Sequence, residues 1–393
     1  MIKRELYMER IRPFIGKDIV KVITGLRRSG KSVLLNLLRD EIGDPKHSIY
    51  LNFESKGNTR YRNPDALYAY IALKIGDSKD KLYLFFDEIQ EVSNWEEVIN
   101  SFRVDFDVDV YITGSNAKLL SGELATLISG RYVQFVIYPF SYREFLLLNK
   151  DKNFTDYLKL GGMPFLANII GDENAMHLYL DDLYNSVVLK DVVKRNNIRD
   201  VDLLDRIITY VLANIGQTFS ASSIAKYFKS EQRKVSTDTV LNYIKACEEA
   251  YLFYKLKRQD IKGKKILEAA EKYFVVDHGL REAVYGKRME DIGQILENIV
   301  CLELLRRGYT VTVGMIDSEE IDFIGVKNNN PIYVQVAYVM PDKKTREREF
   351  GNLLKIKDNY PKFVVSMDEV DMSQKGIVHL NIKDFLFKEW RTN

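Results

Sequence analysis

An α/β chain is predicted: a parallel sheet with helices on both faces, then a helical connector, a winged helix and a second α/β unit. Three observations carry this. Apolar runs of strand length alternate with helix-period segments through the first part of the chain. Gly25-Leu26-Arg27-Arg28-Ser29-Gly30-Lys31-Ser32 matches G-x-x-x-x-G-K-[ST] between a strand and a helix. Leu82-Tyr83-Leu84-Phe85-Phe86-Asp87-Glu88 is an apolar strand ending in two adjacent carboxylates.

A chain of 393 residues exceeds one ordinary core, and we divide it at 1–150, 151–215, 216–286 and 287–393. Its 46% hydrophobic and 29% charged residues describe a globular protein and exclude a disordered one. No apolar run reaches about 18 residues and no basic-then-apolar leader opens the chain, so a cytoplasmic protein without a membrane span is expected. Cys247 and Cys301 are too few for a disulfide framework, and four histidines argue against a histidine metal centre.

Residues 1–17 predict a short helix whose Leu6, Ile11 and Phe14 either pack on the core or cover a purine ring. Ile19, Val20, Val22 and Ile23 form the first strand, and Val33, Leu34, Leu35, Leu37 and Leu38 mark the helix after the glycine-rich loop. Glycines at 25 and 30 let backbone N–H groups turn inward around phosphate oxygens. Lys31 then places a point charge on the β and γ phosphates, and Ser32 joins the shell of a Mg²⁺ ion. All eight loop residues, Gly25 to Ser32, are therefore assigned to nucleotide binding, with ATP and Mg²⁺ as the expected ligands. Residues 48–54 alternate as a strand with Asn52 and Glu54 at its end, beside the ligand crevice of such a sheet or as loop caps. Asp87, with Ser32, holds the metal, and Glu88 orients or deprotonates the attacking water. Residues 108–113 are a further strand ending in Thr113-Gly114-Ser115-Asn116, and Ser129-Gly130-Arg131 precedes one at 132–138.

The series GLRRSGKS, YLNFE, LFFDEIQEVSNWEEVI, YITGSNAKLLSGELATLISGRYVQFVIYPFSYREFL and GGMPFLANI resembles the prokaryotic AAA-type ATPases that carry a poorly characterised C-terminal domain. The resemblance spans nearly the whole chain. It implies an ATPase core, a winged-helix segment and a domain similar to restriction endonucleases. In AAA-type ATPases a polar residue after the fourth strand fixes the attacking water, a role that falls here to Asn116 or Ser115, unless these residues only cap the next helix. Arg131 either reaches the γ-phosphate of its own or a neighbouring subunit or is a surface residue, and the ATPase class that the chain resembles makes a homo-oligomer one of the expected partners.

Gly161-Gly162-Met163-Pro164 interrupts helical sequence, and 175–194 resumes it as a lid or connector. Short helices at 220–228 and 236–246, the second capped by Ser236 or Thr237, precede strands at 252–257 and 266–276 around a Lys-Gly-Lys-Lys turn. Residues 217–265 hold eleven bases and five acids, a local excess of six positive charges in a chain of net +2. Lys226, Lys229, Arg233, Lys234, Lys257, Arg258, Lys262, Lys264 and Lys265 are placed to meet phosphates of double-stranded DNA, with Thr237, Thr239 and Asn242 nearest base edges. The alternative is a solvated face used for protein contacts.

Residues 293–306 form a helix carrying Glu297, and two antiparallel strands at 320–326 and 332–338 turn at Asn328-Asn329, which sets Asp322 opposite Gln335. The order is similar to the restriction-endonuclease fold, where a helix Glu, a strand Asp and a Glu-x-Lys hold metal. Gln335 replaces the second carboxylate and Ala337 the lysine, so nuclease activity is not expected. The whole is read as an ATPase whose nucleotide state controls a DNA-binding C-terminal half, against two alternatives: a slow ATP-dependent switch without nucleic acid, and an ATP-gated nuclease.

Overall fold

The computed structural model describes residues 2–76, 80–117, 130–263, 265–286 and 289–390, and these fall into two compact units. One comprises residues up to Pro139 together with Glu249–Tyr251, and the other holds the rest.

The first unit is built on five parallel strands: β1 (Val20–Thr24), β2 (Ser48–Asn52), β3 (Leu82–Asp87), β4 (Val108–Gly114) and β5 (Tyr132–Val136), in the order β2-β3-β4-β1-β5. β1 and β4 are buried at every residue, as central strands covered on both faces must be, which is why they read as apolar runs. The helices α1 (Glu5–Ile11), α2 (Lys31–Ile42), α3 (Pro64–Ile75) and α4 (Trp95–Asp105) accompany them. Val20, Val22, Phe86 and Ile112 share one core with Leu67, Ile71, Trp95 and Phe102. At the sheet edge where β1 begins, Lys21 is wholly buried and paired with Asp109, which also accepts from the Tyr111 hydroxyl at 2.9 Å and the Gly16 amide at 2.7 Å. Burial lowers the Lys21 pKa, and Asp109 opposes this.

The second unit opens with α5 (Tyr142–Leu148) and α6 (Phe154–Leu160), each started by a reciprocal capping box, from Ser141 with Glu144 and from Asn153 with Asp156. The connector, read as helical sequence at 175–194, is α7 (Glu173–Ser186) running into π-helical turns at Val187–Lys194, followed by α8 (Val201–Ala213). The two short helices are α9 (Ala221–Ser230) and α10 (Thr237–Glu249), and Ser236 supplies the cap of the second by accepting from the Thr239 amide at 3.0 Å.

The strands that follow are β6 (Phe253–Asp260) and β7 (Ile266–Val275), then, after α11 (His278–Tyr285) and α12 (Ile292–Arg306), β8 (Thr310–Ile316), β9 (Glu319–Lys327), β10 (Asn330–Val336), β11 (Lys362–Ser366) and β12 (Val378–Asn381). They form one mixed sheet in the order β12-β11-β10-β9-β8-β6-β7, with α13 (Lys343–Leu354) between β10 and β11 and α14 (Ile382–Phe387) after β12. The hairpin read as a wing is thus two strands of the C-terminal sheet, because β6 runs parallel to β8 from Arg258 opposite Val313. β9 and β10 turn at Asn328 and Asn329, both at positive φ, 50° and 64°. Val334 faces Phe323, and the same register continued sets Asp322 opposite Gln335. Among the described residues no helix is long and apolar enough to cross a membrane.

Candidate functional site

Gly25 follows β1 directly, and its backbone passes so close to the end of β5 that a Cβ there would lie 2.2 Å from the Ile137 carbonyl oxygen. Only glycine admits that approach. The loop then turns through Arg28 at φ 63° and Gly30 at φ 99°, and Gly30 is the N-cap of α2. The N–H groups of that helix start and its dipole both favour an anion. Lys31, the first helical residue, is buried and donates from Nζ to the carbonyls of Gly25 at 3.2 Å and Leu26 at 3.1 Å. The loop is thereby curled around its own ammonium.

Asp87 ends β3 with its carboxylate fully buried and bonded on both oxygens. Oδ1 accepts from Ser32 Oγ at 3.1 Å and Thr113 Oγ1 at 2.5 Å; Oδ2 accepts from the Tyr50 hydroxyl at 3.0 Å and Asn52 Nδ2 at 2.9 Å. Burial, then the charge of Asp87, pushes the Tyr50 hydroxyl up to about 12, so it stays a donor. Glu88 sits at φ 56°, its amide donating to Thr113 Oγ1 at 2.9 Å, its Oε2 accepting from Gln90 Nε2 at 2.5 Å and its Oε1 3.7 Å from Lys31 Nζ. Arg27 pairs with Glu54 at 3.1 Å, while Arg28 is exposed.

The structure therefore brings Lys31, Ser32, Asp87 and Glu88 together with the loop. A hydroxyl and a carboxylate in mutual contact beside a lysine and a helix N-terminus suit a Mg²⁺ ion, which takes one or two protein oxygens and keeps the rest of its shell for water and phosphate. Thr113, Tyr50 and Gln90 are contacts that sequence reasoning missed. Alternation along β2 was a usable signal for Tyr50, because residues 50 and 52 share a face. Asn116 and Ser115 are buried just past β4, whereas the residue of that stretch bonded to Asp87 is Thr113. Arg131 is not brought here. It is exposed at the start of β5, where Tyr132 faces Val20, whereas the loop leaves the opposite end of β1, roughly 13 Å away by strand rise. Ile11 is buried in the core, and Phe14 stacks edge-on with Phe135 at 5.9 Å.

In the second unit Glu297, Asp322 and Gln335 also converge. The Asp322 amide donates to Gln335 Oε1 at 3.4 Å, Asp322 Oδ2 accepts from the Val336 amide at 2.8 Å, and Gln335 Nε2 donates to Glu349 at 3.2 Å. Lys272 of β7 is buried beside them and paired with Glu320, which also holds Arg258 at 2.5 Å. Burial first, then the Asp322 charge, raises the Glu297 carboxyl well above its ordinary range, against Lys272. Burial carries Asp322 up to about 7, against Lys272 and the Val336 amide. Lys272 and Glu349 escaped the sequence reading because they come from a strand and a helix outside the helix–hairpin pattern. Among the described residues no group of three or more His, Cys, Asp or Glu is arranged to hold a metal ion.

Of the residues expected to meet DNA, Lys226, Lys229, Lys234, Thr237, Asn242, Lys257 and Lys265 are exposed. Arg233 pairs with Asp202 at 2.7 Å and Lys262 with Asp317 at 2.5 Å, and Lys264 lies outside the described residues.

Residues 17–146 match a family described as an AAA domain, and residues 151–291 match a domain of unknown function (DUF8612). An uncharacterized protein of Haemophilus influenzae is 41% identical over 401 residues, covering 99% of both chains. An uncharacterized protein of Methanocaldococcus jannaschii is 30% identical over 93% of this chain and 85% of its own. The Walker-type ATPase PABY2304 of Pyrococcus abyssi is similar in fold, with a TM-score of 0.52 at 13% identity over 72% of this chain and 96% of that one.

Proposed function

The chain belongs with those Haemophilus and Methanocaldococcus proteins to one family whose N-terminal part is an AAA-type P-loop ATPase domain, and on that premise we propose that it is a Mg²⁺-dependent ATPase whose nucleotide state controls a DNA-binding C-terminal half. The observation that carries the ATPase reading is the convergence of Lys31, Ser32, Asp87 and Glu88 on one glycine-shaped loop. The loop amides and Lys31 bind the β and γ phosphates. Ser32 and Asp87 would hold Mg²⁺, which would supply positive charge against the phosphates. Glu88 positions and deprotonates the attacking water, and Lys31, now 3.7 Å from Glu88, turns to the phosphate when ATP arrives. Asn116 is assigned to the same water. Because Arg131 stands at the far edge of its own sheet, a role at phosphate falls to it only toward a second copy of the chain.

The DNA-binding half of the proposal rests on the exposure of Lys226 and Lys229 on α9, Lys234 ahead of α10, and Lys257 and Lys265 on the β6–β7 hairpin. Steady-state ATP hydrolysis with and without duplex DNA, at low and moderate salt, tests the coupling. Stimulation that fades with salt is expected, and Lys257→Glu with Lys265→Glu should weaken DNA binding and flatten its salt slope by about two counterions. Slow turnover indifferent to DNA would instead identify a switch that acts on protein partners.

A further inference from the structure

A phosphate-binding loop works only if its peptide planes already face the ligand, and one residue far from the loop in sequence controls such a plane here. Arg4 precedes α1, and its guanidinium is buried. Nη1 donates to the Ser29 carbonyl at 2.8 Å and Nη2 to the Tyr138 carbonyl at 2.7 Å. The guanidinium lies over the Tyr7 ring at 4.7 Å, and the Tyr7 hydroxyl accepts from the Tyr138 amide at 3.2 Å. Arg4 itself stands at φ 49°, a conformation that residues with a Cβ avoid, so the position is maintained by its contacts.

The Ser29 carbonyl and the Gly30 N–H belong to one planar peptide unit and point in opposite directions. Fixing the carbonyl on Arg4 aims the Gly30 N–H to the other side, at the start of α2. The same guanidinium ties this peptide to Tyr138, next to the Ile137 carbonyl against which Gly25 is packed, so both glycine ends of the loop rest on one support. Arg4 reaches the two carbonyls from two separate nitrogens of one rigid planar fork, a geometry that the single nitrogen of a lysine ammonium does not reproduce.

We propose that Arg4 is a positioning residue for nucleotide binding: it acts through the Ser29–Gly30 peptide to preset the phosphate loop, without itself touching the nucleotide. The inference rests on the nucleotide reading of the same loop. Equilibrium binding of ATP and the ATP-induced rise in melting temperature, measured on the full chain, test it in native protein, Arg4→Ala, Arg4→Lys and Tyr7→Phe. Arg4→Ala should raise Kd for ATP by about tenfold or more, with a correspondingly smaller ATP-induced shift, and a few millimolar free guanidinium should restore part of the affinity. Arg4→Lys keeps the charge but loses the fork, and should raise Kd by about threefold or more. It carries the test if Arg4→Ala does not fold. Tyr7→Phe leaves both guanidinium bonds in place and should stay within about twofold of native. Native-like Kd in both folded Arg4 variants would overturn the inference while leaving the nucleotide reading intact. A loss in Tyr7→Phe as large as in Arg4→Ala would assign the effect to general packing and also overturn it. Absence of ATP binding by the native protein would overturn the nucleotide reading and this inference with it.

Discussion

Asp87 shows how much of a site one residue can organise. Its two oxygens collect four donors from three elements besides its own strand, α2, β2 and β4, and one of those donors is the proposed metal ligand Ser32. Removed from water, a carboxylate needs such partners, and here they also orient it toward the loop. Asp322 is the contrasting case, a buried acid with a weaker set of partners. Its carboxyl is raised to about 7 when folded against an ordinary value near 3.8, so the folded chain binds its proton more tightly. The stability this contributes is fully present below the unfolded value and is lost as pH rises through about 7; the raised Glu297 adds to it in the same direction. Asp322→Asn keeps an acceptor for the Val336 amide and removes the titration. The variant should therefore gain on the native chain between pH 5 and pH 8 by about 1 to 3 kcal/mol, read as melting temperature across that range. Parallel pH profiles for the two proteins would refute this account of the cluster.

At the scale of elements, strands and helices were legible where the pattern was local. The phosphate loop, the end of β3 and the Asn328-Asn329 turn depend on neighbours in sequence and were read from it. Thr113 on Asp87, Arg4 on Ser29 and Lys272 beside Glu297 arrive through strand register or chain returns, which no local spacing encodes; for Tyr50, alternation along β2 gives the face but not the partner on β3. The glycine pair at 161–162 marks a similar gap. It reads as a helix interruption, but its reason lies in packing: the Phe140 amide donates to the Gly162 carbonyl at 2.6 Å, the Gly162 amide donates to Asp277 at 2.7 Å, and a Cβ on Gly162 would lie 2.2 Å from the Phe140 carbonyl oxygen. Gly162→Ala should destabilise the second unit by about 2 to 3 kcal/mol. Gly293→Ala, in the first turn of α12 with nothing within 4 Å of the added carbon, should be neutral or stabilising. Equal melting temperatures for the two variants would show that the close approach at Phe140 is not maintained in solution.

On the scale of the whole molecule, the chain leaves the first unit after Pro139 and returns to it only for residues 249–251. The parallel five-stranded sheet was predictable from alternating elements. Membership of β6 and β7 in the C-terminal sheet was not, because the β6–β8 pairing joins Arg258 to Val313 across β7, α11 and α12. The central claim concerns the first unit: that its loop binds and hydrolyses ATP with Mg²⁺. Single-turnover and steady-state hydrolysis of Mg²⁺-ATP by the native chain, Lys31→Ala and Glu88→Gln tests it most directly. The account predicts turnover by the native chain, no binding or hydrolysis in Lys31→Ala, and in Glu88→Gln retained ATP binding with hydrolysis slowed by about a hundredfold or more. Native-like turnover in Lys31→Ala would contradict it.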